Sequence, residues 1–331
     1  MFLYYLGIDG GGSKTRYLLM DEKGNVLAKS RTESIHILQV GIDSFKNNLE
    51  EGLNTVCEKA SIISNEIDFT FIGVPGYGDE IRNEKINLVK KYITDILKSS
   101  NFLCGNDVEA GWAGSLACKP GINLVAGTGA IGFGKDDKGN KARSSGWGYY
   151  YGDEGSAFWL SKKMISYFTK ESDNRIKKTK LYKIIKNHFG VKNDFEILDI
   201  LYNEYKMDRK KIASLAKILY KAALLEDEIA LKLYKEAAYE HFLTIKAIIN
   251  KLNFRDDLIK ISYSGGVFNA GEYILEPLKK YLNELSCDVK LAEPILKPVT
   301  GAALYAKLLS ENKMSYDEKV LNKLREYEKG N

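Results

Sequence analysis

Ile8-Asp9-Gly10-Gly11-Gly12-Ser13-Lys14-Thr15 lies between two apolar runs, Leu3 to Asp9 and Arg16 to Met20. Both runs read as β-strands, so the glycines form a turn between strands and do not open a helix. The loop is not of the GxxxxGK[ST] kind, because Ser13 stands where that motif needs glycine before the lysine. Without side chains, Gly10, Gly11 and Gly12 let backbone N–H groups approach a phosphate. A tight hairpin would use glycines too. Three of them flanked by an acid and by Ser13, Lys14 and Thr15 exceed what a hairpin needs, which favours phosphate. Asp9, at the strand end, is placed to hold Mg²⁺ through water.

Outward from this loop, Asp21-Glu22-Lys23-Gly24-Asn25 is a turn before a third strand. Helical periodicity follows over Ile42 to Ala60, a strand over Asp68 to Val74, a helix over Ile81 to Lys98 and a strand over Asn101 to Gly105. Three hairpin-linked strands and then alternating helices and strands predict a mixed sheet with ligands at the carboxyl ends of its strands. The pattern then restarts. Gly121 to Ala126 is an apolar strand ending in Gly127-Thr128-Gly129, and Asp136-Asp137-Lys138-Gly139-Asn140 repeats the earlier turn at four of five positions. One offset of 115 residues carries Asp21 onto Asp136 and Gly12 onto Gly127. Two glycine loops and two turns at one offset predict a duplicated fold, divided at 1–115 and 116–331. A helical insertion at about 156–252 interrupts the second copy. The pattern resumes with a strand at Leu258 to Tyr263, Ser264-Gly265-Gly266, a helix to Leu285, a strand at Asp288 to Leu291 and a helix from Thr300.

The chain has 331 residues, 44% hydrophobic and 28% charged, with five prolines. This excludes disordered, collagen-like and low-complexity chains, and about one domain per ~150 residues gives two. Net charge is +5. The basic runs, Arg175 to Lys186 and Lys206 to Lys211, are interleaved with apolar residues at helical spacing, so they read as solvated helix faces and not as a nucleic-acid stripe. No run approaches the ~20 apolar residues of a membrane span, and the N-terminus has no basic region of a signal peptide. A cytoplasmic protein is expected. Cys57, Cys104, Cys118 and Cys287 lie far apart without metal-site spacing and read as free thiols.

Four further segments carry candidate chemistry. Gly127-Thr128-Gly129-Ala130-Ile131-Gly132 matches GxGxxG, with Asp153 lying 21 residues beyond Gly132. A dinucleotide fingerprint must open a helix, and a hairpin follows here, so a second phosphate clamp fits better. Ser264-Gly265-Gly266, with Asn269, reads as an ordinary strand-to-helix turn or as a third clamp for a base and ribose. Asp107, after an apolar strand and at a helix start, reads as a helix cap or as a carboxylate facing the ligand edge of the sheet. Gly146-Trp147-Gly148 and Gly152-Asp153-Glu154-Gly155-Ser156 place two acids in a glycine-rich loop beside aromatics. Trp147 reads as a sugar platform or as core.

The loops IDGGGSKT and AGTGAIGFG, the SGGVFNAG segment and the duplicated topology resemble the actin–hexokinase–Hsp70 ATPase superfamily. GWGYYYGDEGSAFW resembles more narrowly the BadF/BadG ATPases and the N-acetylglucosamine kinases among them. The resemblance implies a duplicated RNase H-like α/β fold of two domains with a cleft between them. It also implies ATP and Mg²⁺ as cofactors, a small-molecule sugar as substrate, and a homodimer. Asp107 is then the general base. Asp9 organises the metal, while Gly10 to Thr15 and Gly127 to Gly129 grip phosphates. Ser264, Gly265, Gly266 and Asn269 contact adenosine. His36, Gly76, Asp107, Ala130, Trp147, Gly148 and Asp153 face the sugar. Three places depart from the amino-sugar kinase pattern: His36-Ile37-Leu38, Gly76-Tyr77-Gly78-Asp79 and Ala130. They replace two hydroxyls and an amide, so the sugar stays open among N-acetylglucosamine, N-acetylmuramic acid and glucosamine, with the 6-hydroxyl as acceptor. The alternative within the family is an ATPase that activates a dehydratase through an iron–sulfur cluster, which needs clustered cysteines.

Overall fold

The structure is a computed structural model that describes residues 3–78, 83–255, 258–313 and 315–330. Asp79 and the predicted start of the second helix, at 81 and 82, lie outside the described residues. The chain divides into two compact units, Met1–Asn123 with Glu293–Asn331, and Leu124–Ala292.

The first unit holds β1 (Tyr4–Gly10), β2 (Lys14–Asp21), β3 (Val26–Glu33), β4 (Phe69–Val74) and β5 (Phe102–Asn106) in the order β3-β2-β1-β4-β5. The hairpin strands β1, β2 and β3 pair antiparallel, whereas β4 and β5 run parallel to β1. Because β1, β4 and β5 share a direction, Gly10, Val74 and Asn106 end at one edge of the sheet. Leu6, Ile8, Leu19, Phe45, Leu49 and Ile72 are fully buried between this sheet and the helix Ile37–Ala60. That helix is two pieces joined at Gly41, whose φ of 78° no helical residue adopts. The periodic stretch predicted from Ile42 is the longer piece.

The second sheet holds β6 (Gly121–Ala126), β7 (Ala130–Lys135), β8 (Lys141–Ser145), β9 (Leu258–Ser264) and β10 (Asp288–Ala292) in the order β10-β9-β6-β7-β8. Reading β6 to β10 for β1 to β5 gives the first sheet again, so the predicted duplication is present as topology. It is also present bond by bond. Asp21 accepts from the N–H groups of Lys23 and Asn25 at 2.9 Å each and from Asn25 Nδ2 at 2.6 Å. Asp136 accepts from Lys138, Asn140 and Asn140 Nδ2, each at 2.9 Å. Gly24 and Gly139 take φ of 81° and 84° in these turns. Between β8 and β9 the predicted insertion forms helices, the longest at Ala157–Ser172 and Glu228–Ile249.

The division read from the sequence, 1–115 and 116–331, differs from these units at both ends. The boundary falls inside β6, and residues 293–331 return to the first unit. The cause is the helix Pro298–Ser310, which packs on β1, β2 and β4 and on the helix Asp107–Ser115. Glycine makes this approach possible. A Cβ on Gly7 would lie 2.2 Å from the Ala303 nitrogen, and one on Gly301 would lie 2.0 Å from the Gly114 nitrogen. Backbone, not a yielding side chain, blocks a methyl at Gly301. We expect Gly301→Ala to destabilise the fold by about 3 kcal/mol, the upper part of the overpacking range. A urea midpoint shift at constant slope measures it, and a loss below ~0.5 kcal/mol would mean that the helices reseat freely. Among the described residues no helix is long and apolar enough to cross a membrane.

Candidate functional site

At the carboxyl edge of the first sheet, the glycine loop after β1 is closed by Gly11 N–H donating to the Lys14 carbonyl at 2.9 Å. Gly10 is required by packing, since a Cβ would meet the Gly73 carbonyl at 2.5 Å. Gly12 is not: the loop is exposed there, its φ is not left-handed, and the nearest atom to an added Cβ is Gln39 at 3.8 Å. The fold itself has room for a side chain at residue 12, so the space matters for whatever approaches the loop. Ser13 and Lys14 are exposed. Thr15 differs from its expected role, for it is fully buried and its hydroxyl donates to the Glu33 carbonyl at 2.9 Å. Its alternation on β2 turns it into the sheet, away from the loop.

Asp9 is buried, with Arg16 Nη1 at 3.5 Å across the hairpin register. Burial pushes its carboxyl up to about 6, against the opposing pull of Arg16. Asp107 opens the helix Asp107–Ser115, but the cap is Asn106, whose side chain accepts from Val108 N–H at 3.2 Å. Asn106 Nδ2 also donates to the Tyr77 carbonyl at 2.9 Å, which ties the Gly76-Tyr77 loop to the helix start. Gly73 completes the approach, since a Cβ there would lie 3.1 Å from the Asp107 Cα. Ser34, which the sequence reading missed, connects the glycine loop to His36. Its hydroxyl donates to the Gly11 carbonyl at 2.8 Å and accepts from His36 N–H at 3.0 Å. Gly10 to Gly12, His36, Gly76 and Asp107 therefore belong to one edge of one unit.

In the second unit the other three segments converge. Gly265 has φ of 106°, and a Cβ there would lie 2.3 Å from the Ala126 carbonyl oxygen, so the SGG turn presses on the second glycine loop. Gly127 accepts from Ala157 N–H at 2.9 Å through its carbonyl, tying the loop to the helix that Ser156 caps. A cavity of about 470 Å³ has Gly127, Thr128, Gly266 and Asn269 on one side and Lys210, Lys217 and Tyr220 of the helical insertion on the other. The volume suits a nucleotide-sized ligand. The insertion residues carried no sequence signal, because a lysine on a helix reads as a solvated face.

Trp147 is 79% exposed, with Tyr150 and Tyr151 exposed beside it in sequence, which removes the core reading of this tryptophan. Asp153 differs from its expected role in the free protein. Its side chain is only 5% exposed and pairs with Arg209 Nη2 at 2.5 Å. Ala130 and Gly148 also donate backbone N–H groups to it. Burial raises its pKa and Arg209 opposes the rise. Beneath this loop His241 is fully buried against Gly155 and Phe268, and burial lowers its imidazole to about 4, so it packs as a neutral ring. The four cysteines are free and three are buried. Cys118 Sγ lies 3.8 Å and 3.9 Å from the Ala113 and Gly301 carbonyls.

The sequence model of the BadF/BadG/BcrA/BcrD ATPase family matches residues 6–306. The chain belongs to this family. It is 29% identical to an N-acetylmuramic acid/N-acetylglucosamine kinase of Clostridium acetobutylicum, over 92% of this chain and 98% of that protein. It is 27% identical to an N-acetyl-D-glucosamine kinase of Dictyostelium discoideum, over 91% and 97%. Among solved structures, a Chromobacterium violaceum protein provisionally named an N-acetylglucosamine kinase superposes with a TM-score of 0.69 at 21% identity, covering 92% of this chain and 99% of that one. A ROK family glucokinase from Streptomyces griseus, in complex with glucose and AMPPNP, superposes with a TM-score of 0.55 at 16% identity, covering 93% and 99%. The hexokinase-type fold expected from the resemblance is thus the fold of this chain.

Proposed function

We propose that this protein is an amino-sugar kinase that transfers the terminal phosphoryl group of ATP to the 6-hydroxyl of N-acetylglucosamine, N-acetylmuramic acid or glucosamine. The observation that carries the reading is Asp107. Its helix is capped by Asn106, and Asp107 is the first helical residue after β5, at the sheet edge to which the glycine loop after β1 also belongs. The names of the two curated relatives support the sugar class.

In the proposed reaction the Asp107 carboxylate accepts the proton of the sugar hydroxyl. That oxygen bonds to the γ-phosphorus as the bond from γ-phosphorus to the bridging oxygen breaks, and ADP leaves. Backbone N–H groups of the loops at Gly10 to Gly12 and Gly127 to Gly129 stabilise phosphate charge without a reorganisation cost. The cavity beside Gly266 and Asn269 takes the adenosine, and Trp147 offers its ring face to the sugar. Mg²⁺ fits the residues present only as a nucleotide-borne ion. Asp9 is one buried carboxylate, and among the described residues no group of three or more acidic, histidine or cysteine side chains forms a cage. Mg²⁺ held by one carboxylate, water and phosphates is ordinary for such an ion, and it would neutralise polyphosphate charge. The reading carries with it a cytoplasmic homodimer.

The test is a competition at equal ATP among glucose, glucosamine, N-acetylglucosamine and N-acetylmuramic acid. We expect an N-acetylated sugar to win by more than about tenfold in kcat/KM, since a site built on hydrogen bonds rejects analogues that lack the partner group. Preference for plain glucose would overturn the amino-sugar assignment, and turnover with none of the four would overturn the kinase.

A further inference from the structure

The Asp153 carboxylate joins three stretches of chain: Ala130 beside the second glycine loop, Gly148 of the tryptophan loop, and Arg209 of the helical insertion. The packing is close. A Cβ on Gly129 would lie 2.5 Å from Arg209 Nη2 and 2.7 Å from Asp153 Oδ2. Asp153 also holds a left-handed φ of 57°, which costs energy in a residue with a Cβ and persists only where its surroundings enforce it. Arg209 opens the helix Arg209–Ser214, and Lys210, Ser214 and then Lys217 and Tyr220 wall the 470 Å³ cavity. One face of this short run borders the nucleotide cavity, and its first residue grips the sugar loop.

The guanidinium is not fully met. Arg209 Nε is buried and has no hydrogen-bond partner among the described residues, while the group lies 5.2 Å from the Tyr149 ring. A buried donor without an acceptor raises the energy of the free protein. Resting on the proposed kinase reading, we infer that Arg209 is a positioning residue that makes nucleotide and sugar binding cooperative. The nucleotide bears on this pair through the cavity wall and the sugar through the loop, so either ligand stabilises the Arg209–Asp153 geometry that the other needs.

The experiment measures the Kd of AMPPNP with and without a saturating amino sugar. In the parent protein the sugar is expected to tighten AMPPNP by about 5- to 150-fold, the usual range of such coupling. In Arg209→Ala that ratio falls to within twofold of one. Arg209→Lys restores part of it, because lysine keeps the charge without the planar fork. Asp153→Asn loses the ratio as well, and Asp153→Asn with Arg209→Ala loses no more than either alone, as for residues acting as a unit. A mere brace would weaken both ligands and leave the ratio untouched. Should Arg209→Ala not fold, the Arg209→Lys and Asp153→Asn ratios decide. A parent ratio near one, or a parental ratio in the variants, overturns the inference. A parent that binds AMPPNP and no amino sugar overturns the kinase reading and takes the inference with it.

Discussion

Asp107→Asn is expected to lower the kcat of sugar phosphorylation by on the order of 10²–10⁴, the range for loss of a general base. The fold should survive. Asn106 caps the helix, so the substitution removes no cap, and the favourable position of an anion in a first turn is worth about 0.3–1 kcal/mol. The neighbouring position gives the opposite pattern. Asn106→Ala removes the cap to Val108 and the bond to the Tyr77 carbonyl, so it should cost about 1–2 kcal/mol of stability. Its effect on kcat should be the smaller of the two. The pair of variants separates base from scaffold in one set of measurements, kcat and melting temperature. Turnover of Asp107→Asn within tenfold of the parent would remove Asp107 from the role.

Much of this was legible in the sequence because it was written in glycine and turn chemistry. The two DxKGN turns must form because Asp at the first position and glycine at positive φ close the same loop wherever they occur. At Asp21 and Asp136 they do so with the same bonds. The offset between them predicted the duplicated sheets, whose strand orders agree. The domain division was not legible. Pro298–Ser310 looks like a closing helix of the second copy, and only the clearances at Gly7 and Gly301 show what it packs on. Side-chain positions were legible where chain direction fixes them and partners were not where packing does. Asp107 lies at a strand end as expected, whereas Thr15 turns inward by alternation on β2 and Asp153 pairs with an arginine 56 residues away. No spacing rule connects Asp153 to Arg209, since the partner arrives on an inserted helix.

Asp9→Asn is the second large effect. If Asp9 serves the ion on the nucleotide phosphates, its loss should lower kcat/KM for MgATP by on the order of 10²–10³, several kcal/mol of charge stabilisation. Sugar affinity should change little, and raised Mg²⁺ should recover part of the loss. The stability effect has the opposite sign. Burial raises the Asp9 carboxyl to about 6 in the folded protein, whereas an unfolded aspartate titrates near ~3.9. Between these values the folded state holds the proton more tightly, so stability falls as pH rises from about 4 to 6 and stays lowered above. A shift of about two units corresponds to roughly 3 kcal/mol. Asparagine carries no such cost. It does give up the pairing with Arg16, but the pull of Arg16 is already contained in the raised value. Without nucleotide, Asp9→Asn should therefore melt at or above the parent temperature at neutral pH, with the difference shrinking as pH falls through 6 toward 4. A carboxylate kept at a cost to the fold, and required for turnover, is one kept for a ligand. A variant that melts well below the parent at neutral pH would mean that Asp9 serves the hairpin through Arg16, and the metal assignment would fall.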